Sequence, residues 1–225
     1  MHRKGLFIVG LVVSVCPVAL AQQWTALNHQ SSVPIGGYFL LMDGRVLANE
    51  MEVSGYATVR WWTLTPDAQG SYRNGTWSPV GSSVYTPLYF ASSITPAGKV
   101  LIAGGEYSTG GFETNKCELF DPLTNTWSQV TPPVGWNNIG DAPAATLPDG
   151  RMMVGEIFSA RTAIYDPDTN SFSAGPYKLN SRTTEETWVT LPDGSVATWH
   201  CFGHPGTEAI PAGHQPVNLG RQHTG

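Results

Sequence analysis

The residues with chemical capacity in this chain lie between apolar runs rather than within them. Glu106 and Tyr107 follow a Gly-Gly pair, Trp136 and Asp141 share a short polar stretch, Glu156 follows Val154-Gly155, and Arg182, Glu185 and Glu186 precede Trp188. Carboxylates accept hydrogen bonds from hydroxyls or pair with a cation, and Tyr and Trp rings offer a flat apolar face. Together they suit a polar, uncharged or cationic ligand such as a sugar. His200, Cys201 and His204 spell H-C-x-x-H. Metals accept these donors, but no fourth ligand is identifiable, so no metal is assigned. Ser92 and Ser93 sit inside an apolar run without a paired His and Asp, which gives nucleophilic catalysis no support. There is no phosphate loop. The sequence therefore nominates ligand-binding residues (Glu106, Tyr107, Trp136, Asp141, Glu156, Glu185 and Glu186) and no catalytic residue or cofactor.

The elements that must position them are short strands. Thr86 to Val130 contains four runs: Leu88–Thr95, Lys99–Ala103, Lys116–Phe120 and Thr126–Val130, cut by Pro96-Ala97-Gly98, Gly104-Gly105 and Asp121-Pro122. Short β-prone runs with Gly, Pro and Asp punctuation are strand signals. The first two are almost wholly apolar, as strands covered on both faces are, and the fourth alternates.

This unit recurs. The first turn returns as Asp43-Gly44-Arg45-Val46, Ala97-Gly98-Lys99-Val100, Asp149-Gly150-Arg151-Met152 and Asp193-Gly194-Ser195-Val196. The later turn returns as Thr65-Pro66-Asp67, Asp121-Pro122-Leu123 and Asp166-Pro167-Asp168, each followed by an aromatic: Trp77, Trp127 and Phe172. A period of roughly 45–50 residues with four strands per copy marks a β-propeller blade. The Gly104-Gly105 pair, the third-strand aromatics Phe120 and Tyr165, and the fourth-strand Trp resemble the kelch-type propeller. Within it, the chain is similar to the galactose-oxidase-like propellers of bacterial secreted kelch proteins. The expected fold is all-β, a kelch-type β-propeller of about three and a half four-stranded blades, over residues 22–205.

Met1 to Ala21 carries Arg3-Lys4, an apolar run and Ala19-Leu20-Ala21, the pattern of a secretory signal peptide. It predicts a secreted or periplasmic protein without a membrane span after cleavage. Val15 and Pro17 argue against a lipid anchor on Cys16. Charged residues are 13% of the chain, and 25 glycines and 17 prolines suit many tight turns. A net charge of −5 argues against a nucleic-acid partner. Cys117 and Cys201 fall two blades apart and are expected to stay unpaired.

Trp24-Thr25-Ala26-Leu27 resembles Trp127-Ser128-Gln129-Val130 and reads as a fourth strand without its first three. Blade four fails after Cys201: residues 206–225 lack the Asp-Pro turn and the Trp, and Gly206–Ile210 offers at most part of a third strand. The ring is expected to be incomplete, with further blades from a longer parent chain as one source of closure. A closed four-bladed ring would require a better-formed last blade. Uncovered blade faces predict marginal stability or self-association.

Strand order places residues before strand 1 and after strand 2 on one side, the top, where the nominated residues gather. The galactose-oxidase resemblance puts Tyr89 at the crosslinked tyrosine of that family and Tyr107 at its stacking aromatic. The matching cysteine should lie near Ile35, where there is none, so Tyr89 is expected to pack as an inner-strand aromatic. The expectation is a non-catalytic module binding a carbohydrate or an extracytoplasmic protein. The alternatives are a remnant of a carbohydrate or aldehyde oxidase lacking its copper site, or a structural segment of a surface protein. Mass spectrometry of the exported chain is expected to give an N-terminus at Gln22; a retained Met1, or lipid on Cys16, would overturn the signal assignment.

Overall fold

Four sheets arise from the four repeats. The computed structural model describes residues 24–107, 112–179, 182–199 and 206–210. Blade one is β1 (Ile35–Leu40), β2 (Val46–Met51), β3 (Ala57–Thr65) and β4 (Thr76–Pro79), with a 3-10 turn at Tyr72–Asn74. Blade two is β5 (Ala91–Ile94), β6 (Val100–Ala103), β7 (Cys117–Asp121) and β8 (Thr126–Val130). Blade three is β9 (Ala144–Thr146), β10 (Met152–Gly155), β11 (Thr162–Asp166) and β12 (Ser171–Ala174). Blade four is β13 (Trp188–Thr190), β14 (Val196–Trp199) and β15 (Thr207–Ile210). Every sheet is an antiparallel meander in chain order. Among the described residues there is no α-helix, and the array is not closed.

The Asp residues of the turns do structural work. Asp43, Asp149 and Asp193 each accept the backbone N–H two residues on, at 3.0, 3.1 and 2.9 Å. Asp121 and Asp166 do the same for Leu123 and Asp168, both at 2.9 Å. These Asx turns fix the chain reversal at each strand end. Asn125 and Asn170 complete the later turns in the left-handed region, which Asn tolerates.

Packing follows from cross-strand rows. Residues opposite one another in a sheet share a face. In blade two, Ile94, Val100, Phe120 and Trp127 form one row, facing blade one. Ser93, Leu101 and Leu119 form the other, facing blade three. Blade three repeats this with Thr146, Met152, Tyr165 and Phe172 on its leading face and Ala145, Met153 and Ile164 on its trailing face. Blade four leads with Thr190, Val196 and Ile210. Between blades one and two the Trp61 and Trp127 rings stand 4.7 Å apart, and Phe120 lies 5.1 Å from Trp127. Hydroxyls link the inner strands: Ser93 Oγ lies 2.8 Å from Thr146 Oγ1, and Thr190 donates to the Thr146 carbonyl at 2.6 Å. At the bottom, Arg45 of blade one donates to Asn125 Oδ1 (2.7 Å) and the Pro122 carbonyl (2.6 Å) of blade two.

Three expectations change. Trp24–Leu27 is not a strand, and Trp24 is fully exposed. With no described third strand beside it, the segment instead follows the outer edge of blade one: the Asn28 N–H donates to the Arg73 carbonyl (2.7 Å), and Trp77 Nε1 donates to the His29 carbonyl (3.2 Å). Thr207–Ile210 is a full third strand, because its Ala209 and Ile210 fall in register with Ala197 and Val196. The first strand of blade two begins at Ala91 rather than Leu88, because Tyr89 adopts φ 54° and breaks the extended chain; Leu88 makes an isolated bridge to Glu106. The signal segment, His200-Cys201-His204 and residues 211–225 lie outside the described residues. Cys117 is a buried free thiol. Trp127→Ala removes half of an interblade aromatic stack and is expected to cost about 3–5 kcal/mol in denaturant unfolding; an unchanged midpoint would contradict the row assignment.

Candidate functional site

The top loops are held by the Gly104-Gly105 turn. Both glycines have positive φ, and a Cβ on Gly104 would meet Ile139 and the Gly140 carbonyl, while one on Gly105 would meet the Leu88 carbonyl. Gly105 donates to the Gly140 carbonyl at 2.7 Å, and Thr114 donates back to Gly105 at 3.0 Å. This close backbone approach needs glycine. It ties the end of β6 in blade two to the entry of blade three, so that Glu106 and Asp141 lie beside one cleft.

That cleft has a volume of about 550 Å³ and is lined by Tyr89, Glu106, Tyr107, Asp141, Ala142, Pro143, Glu185 and Glu186. Five of the seven nominated residues thus meet there. Tyr89, expected among inner-strand aromatics, is instead 61% exposed at the cleft. Its ring makes an edge contact with Tyr107 at 6.2 Å, and Tyr107 makes another with Tyr56 at 6.4 Å. Both Tyr89 and Tyr107 lie in the left-handed region, at φ 54° and 51°, unusual for bulky side chains. Such conformations cost on the order of 1–3 kcal/mol each.

Glu185 is exposed, whereas Glu186 is buried, paired with the Lys178 ammonium and accepting from Trp188 Nε1 at 2.8 Å. Glu186 is therefore a neutralised part of the wall. Trp136 and Glu156 do not join the cleft. Both are buried nearer blade three, where Arg161 lies over the Trp136 ring (5.3 Å to its centroid) and pairs with Glu156 at 3.1 Å. Arg161 thus engages both groups away from the cleft.

The structure adds Glu113, which sequence spacing did not single out because it stands in the long blade-two excursion. Its Oε2 accepts the Asp141 N–H at 3.1 Å. Burial pushes the Glu113 carboxyl up to about 7, with Asp141 and Glu106 adding repulsion. Burial likewise raises Asp141 to about 6, helped by Glu185 and Glu106. Glu106 is also the main cause of an upward shift at the Tyr107 hydroxyl. Carboxylates thus crowd in and beside the cleft that Tyr89 and Tyr107 also line. Among the described residues, no three His, Cys, Asp or Glu side chains are arranged to hold a metal ion.

Comparison with known proteins agrees with this architecture. The family model of the kelch motif matches residues 87–133, which span blade two. Among solved structures the fold is similar to that of YjhT, at 12% identity and a TM-score of 0.57, over 77% of this chain and 60% of that one. The chain therefore spans about three-fifths of that structure's length. The chain thus has a β-propeller fold with a kelch motif in blade two, and its ring is not closed over the described residues.

Asp141 in the cleft and Glu113 bonded beside it predict a pH dependence. Glu113 and Asp141 titrate higher in the folded chain than their ordinary values of 4.5 and 3.8. The folded state then binds more protons, and stability falls as pH rises through about 4 to 7. The melting temperature is expected to be higher at pH 5.5 than at pH 8, and Glu113→Gln should shrink that difference. An equal difference in the variant would show that Glu113 does not carry it.

Proposed function

We propose that this chain is an exported, non-catalytic propeller module that binds a carbohydrate or another extracytoplasmic protein through its top face. The supporting observation is the cleft, which exposed Tyr89 and Tyr107 line together with Glu106, Asp141 and Glu185. Tyrosine rings give stacking area at small entropic cost, and carboxylates accept hydrogen bonds from hydroxyl groups. Clefts of roughly 300–1,000 Å³ are of the size that small ligands occupy. Export rests on the Arg3-Lys4, apolar and Ala-Leu-Ala pattern at the N-terminus.

One observation favours a second reading, a remnant or part of a galactose-oxidase-like carbohydrate or aldehyde oxidase. Tyr89 and Tyr107, the two positions that the resemblance picks out, are in ring contact. Against it stands the cysteine count: the three cysteines are Cys16, Cys117 and Cys201, so none stands near Ile35. Cys117 is buried between blades two and three, where burial pushes its thiol up to about 12.

A glycan array probed with the labelled chain, followed by titration of the strongest binder, separates these readings. Tyr107→Ala is expected to weaken that binding at least about tenfold, the loss of a contact worth ~1.4 kcal/mol, with the melting temperature unchanged. Stoichiometric copper with peroxide production from sugars or aldehydes would instead establish the oxidase reading.

A further inference from the structure

Three tyrosines form a continuous run across the top of blades one and two. Tyr56 stands in the β2–β3 hairpin, where the Glu52 N–H donates to the Tyr56 carbonyl at 2.7 Å and Gly55 turns the chain at φ 92°. Its ring meets Tyr107, and Tyr107 in turn meets Tyr89. Tyr56, Tyr107 and Tyr89 are 52%, 41% and 61% exposed. Successive ring planes stand at 71° and 75° to one another. The rings therefore form angled walls rather than one flat platform. A cation is attracted to any aromatic face that it approaches within about 6 Å, so angled walls can hold one ammonium from more than one side.

The charge of the cleft points the same way. Glu106, Asp141 and Glu185 line it beside Tyr89 and Tyr107, and none of its described lining residues is Lys, Arg or His. Lys178 pairs with Glu186 in the wall. Burial, with repulsion among Asp141, Glu106 and Glu185, raises Glu113 to about 7 and Asp141 to about 6. A neutral ligand would leave that repulsion in place, whereas a positive one would offset it. The lining carboxylates also come from three connections: after β6, before β9 and before β13. A ligand that meets them must offer donors on several sides at once. A lysine side chain carries its donors at one tip. A protonated hexosamine carries an ammonium with hydroxyl groups around its ring.

We propose that the cleft selects a sugar bearing a free, protonated amine, with the ammonium held by the tyrosine rings and by the carboxylates of Glu106 and Asp141. This rests on the ligand-binding reading of the same cleft and narrows it from saccharides in general to amino sugars.

Calorimetric titration of the full chain, at a pH where the sugar amine is protonated, tests it. A glucosamine tetramer is expected to bind at least about tenfold more tightly than the N-acetylated tetramer or a glucose tetramer. Added salt should shrink that preference, because charge carries it. Asp141→Asn and Glu106→Gln should each remove most of it without lowering the melting temperature, since each deletes a repulsive charge. Equal affinity for the amine and N-acetyl forms, a preference that both variants retain, or tighter binding of a lysine tetrapeptide would overturn the inference. The glycan array judges the broader reading separately. Array binders without an amine would uphold carbohydrate binding and overturn the amine requirement. No array binder, together with no binding of these probes, would overturn both.

Discussion

The structure depends on one constraint: every blade is a thin sheet with two apolar faces, and neither can be buried within the blade. Burial is worth about 25 cal/mol per Å² of apolar surface, and here almost all of it is gained between sheets. The rows centred on Val100, Met152 and Val196 are each sealed by the preceding blade. Local order inside a blade is thus necessary and insufficient. Asx turns, Asn residues in the left-handed region and short meanders set each sheet, but its stability belongs to the pair of sheets it forms.

This division explains what could be read from the chain. Turn chemistry and row identity are local properties, so the Asp-Gly and Asp-Pro turns, the strand-four aromatics and the β7–β8 hairpin are legible in the residues themselves. Trp127 is placed by its neighbours Asp121 and Asn125 as much as by its ring. The N-terminal segment misleads for the converse reason. Trp24 to Leu27 has the letters of a fourth strand, yet a strand requires an adjacent edge, and Asn28 and His29 instead satisfy Arg73, Gly75 and Trp77.

Site residues are legible only as far as topology carries them. Strand order placed Glu106, Tyr107, Asp141, Glu185 and Glu186 on one side, and they meet. It does not reveal Arg161, which engages Trp136 and Glu156 outside the cleft, nor Lys178, which pairs with Glu186. Glu113 was hidden because its place depends on the loop folding back to the Gly140–Asp141 backbone. Tyr89 was misjudged because a left-handed φ turns an expected strand residue out to solvent. Each failure concerns a side chain whose partner comes from a distant loop.

The two sides of the propeller use charge in opposite ways. At the bottom, Asp43, Asp121 and Asp149 hold their protons less firmly than usual, because Arg45, Lys99 and Arg151 and backbone N–H groups stabilise the carboxylates despite partial burial. Those charges support the turns. At the top, Glu113 and Asp141 are raised by burial and by one another's neighbours, and two tyrosines beside them sit in costly backbone conformations. Repulsion and strain at one place are tolerated only where the surrounding structure supplies stability from elsewhere. Glu118 shows that burial alone is not the distinction: it too is raised by burial, yet its carboxylate accepts the Val84 N–H at 2.9 Å and serves packing. Glu113 makes a comparable bond, to the Asp141 N–H at 3.1 Å, but it stands beside a cleft that two exposed tyrosines line. The concentration of such groups on the open face, above blades that are sealed by their rows, is the physical ground for assigning function to that side of the molecule.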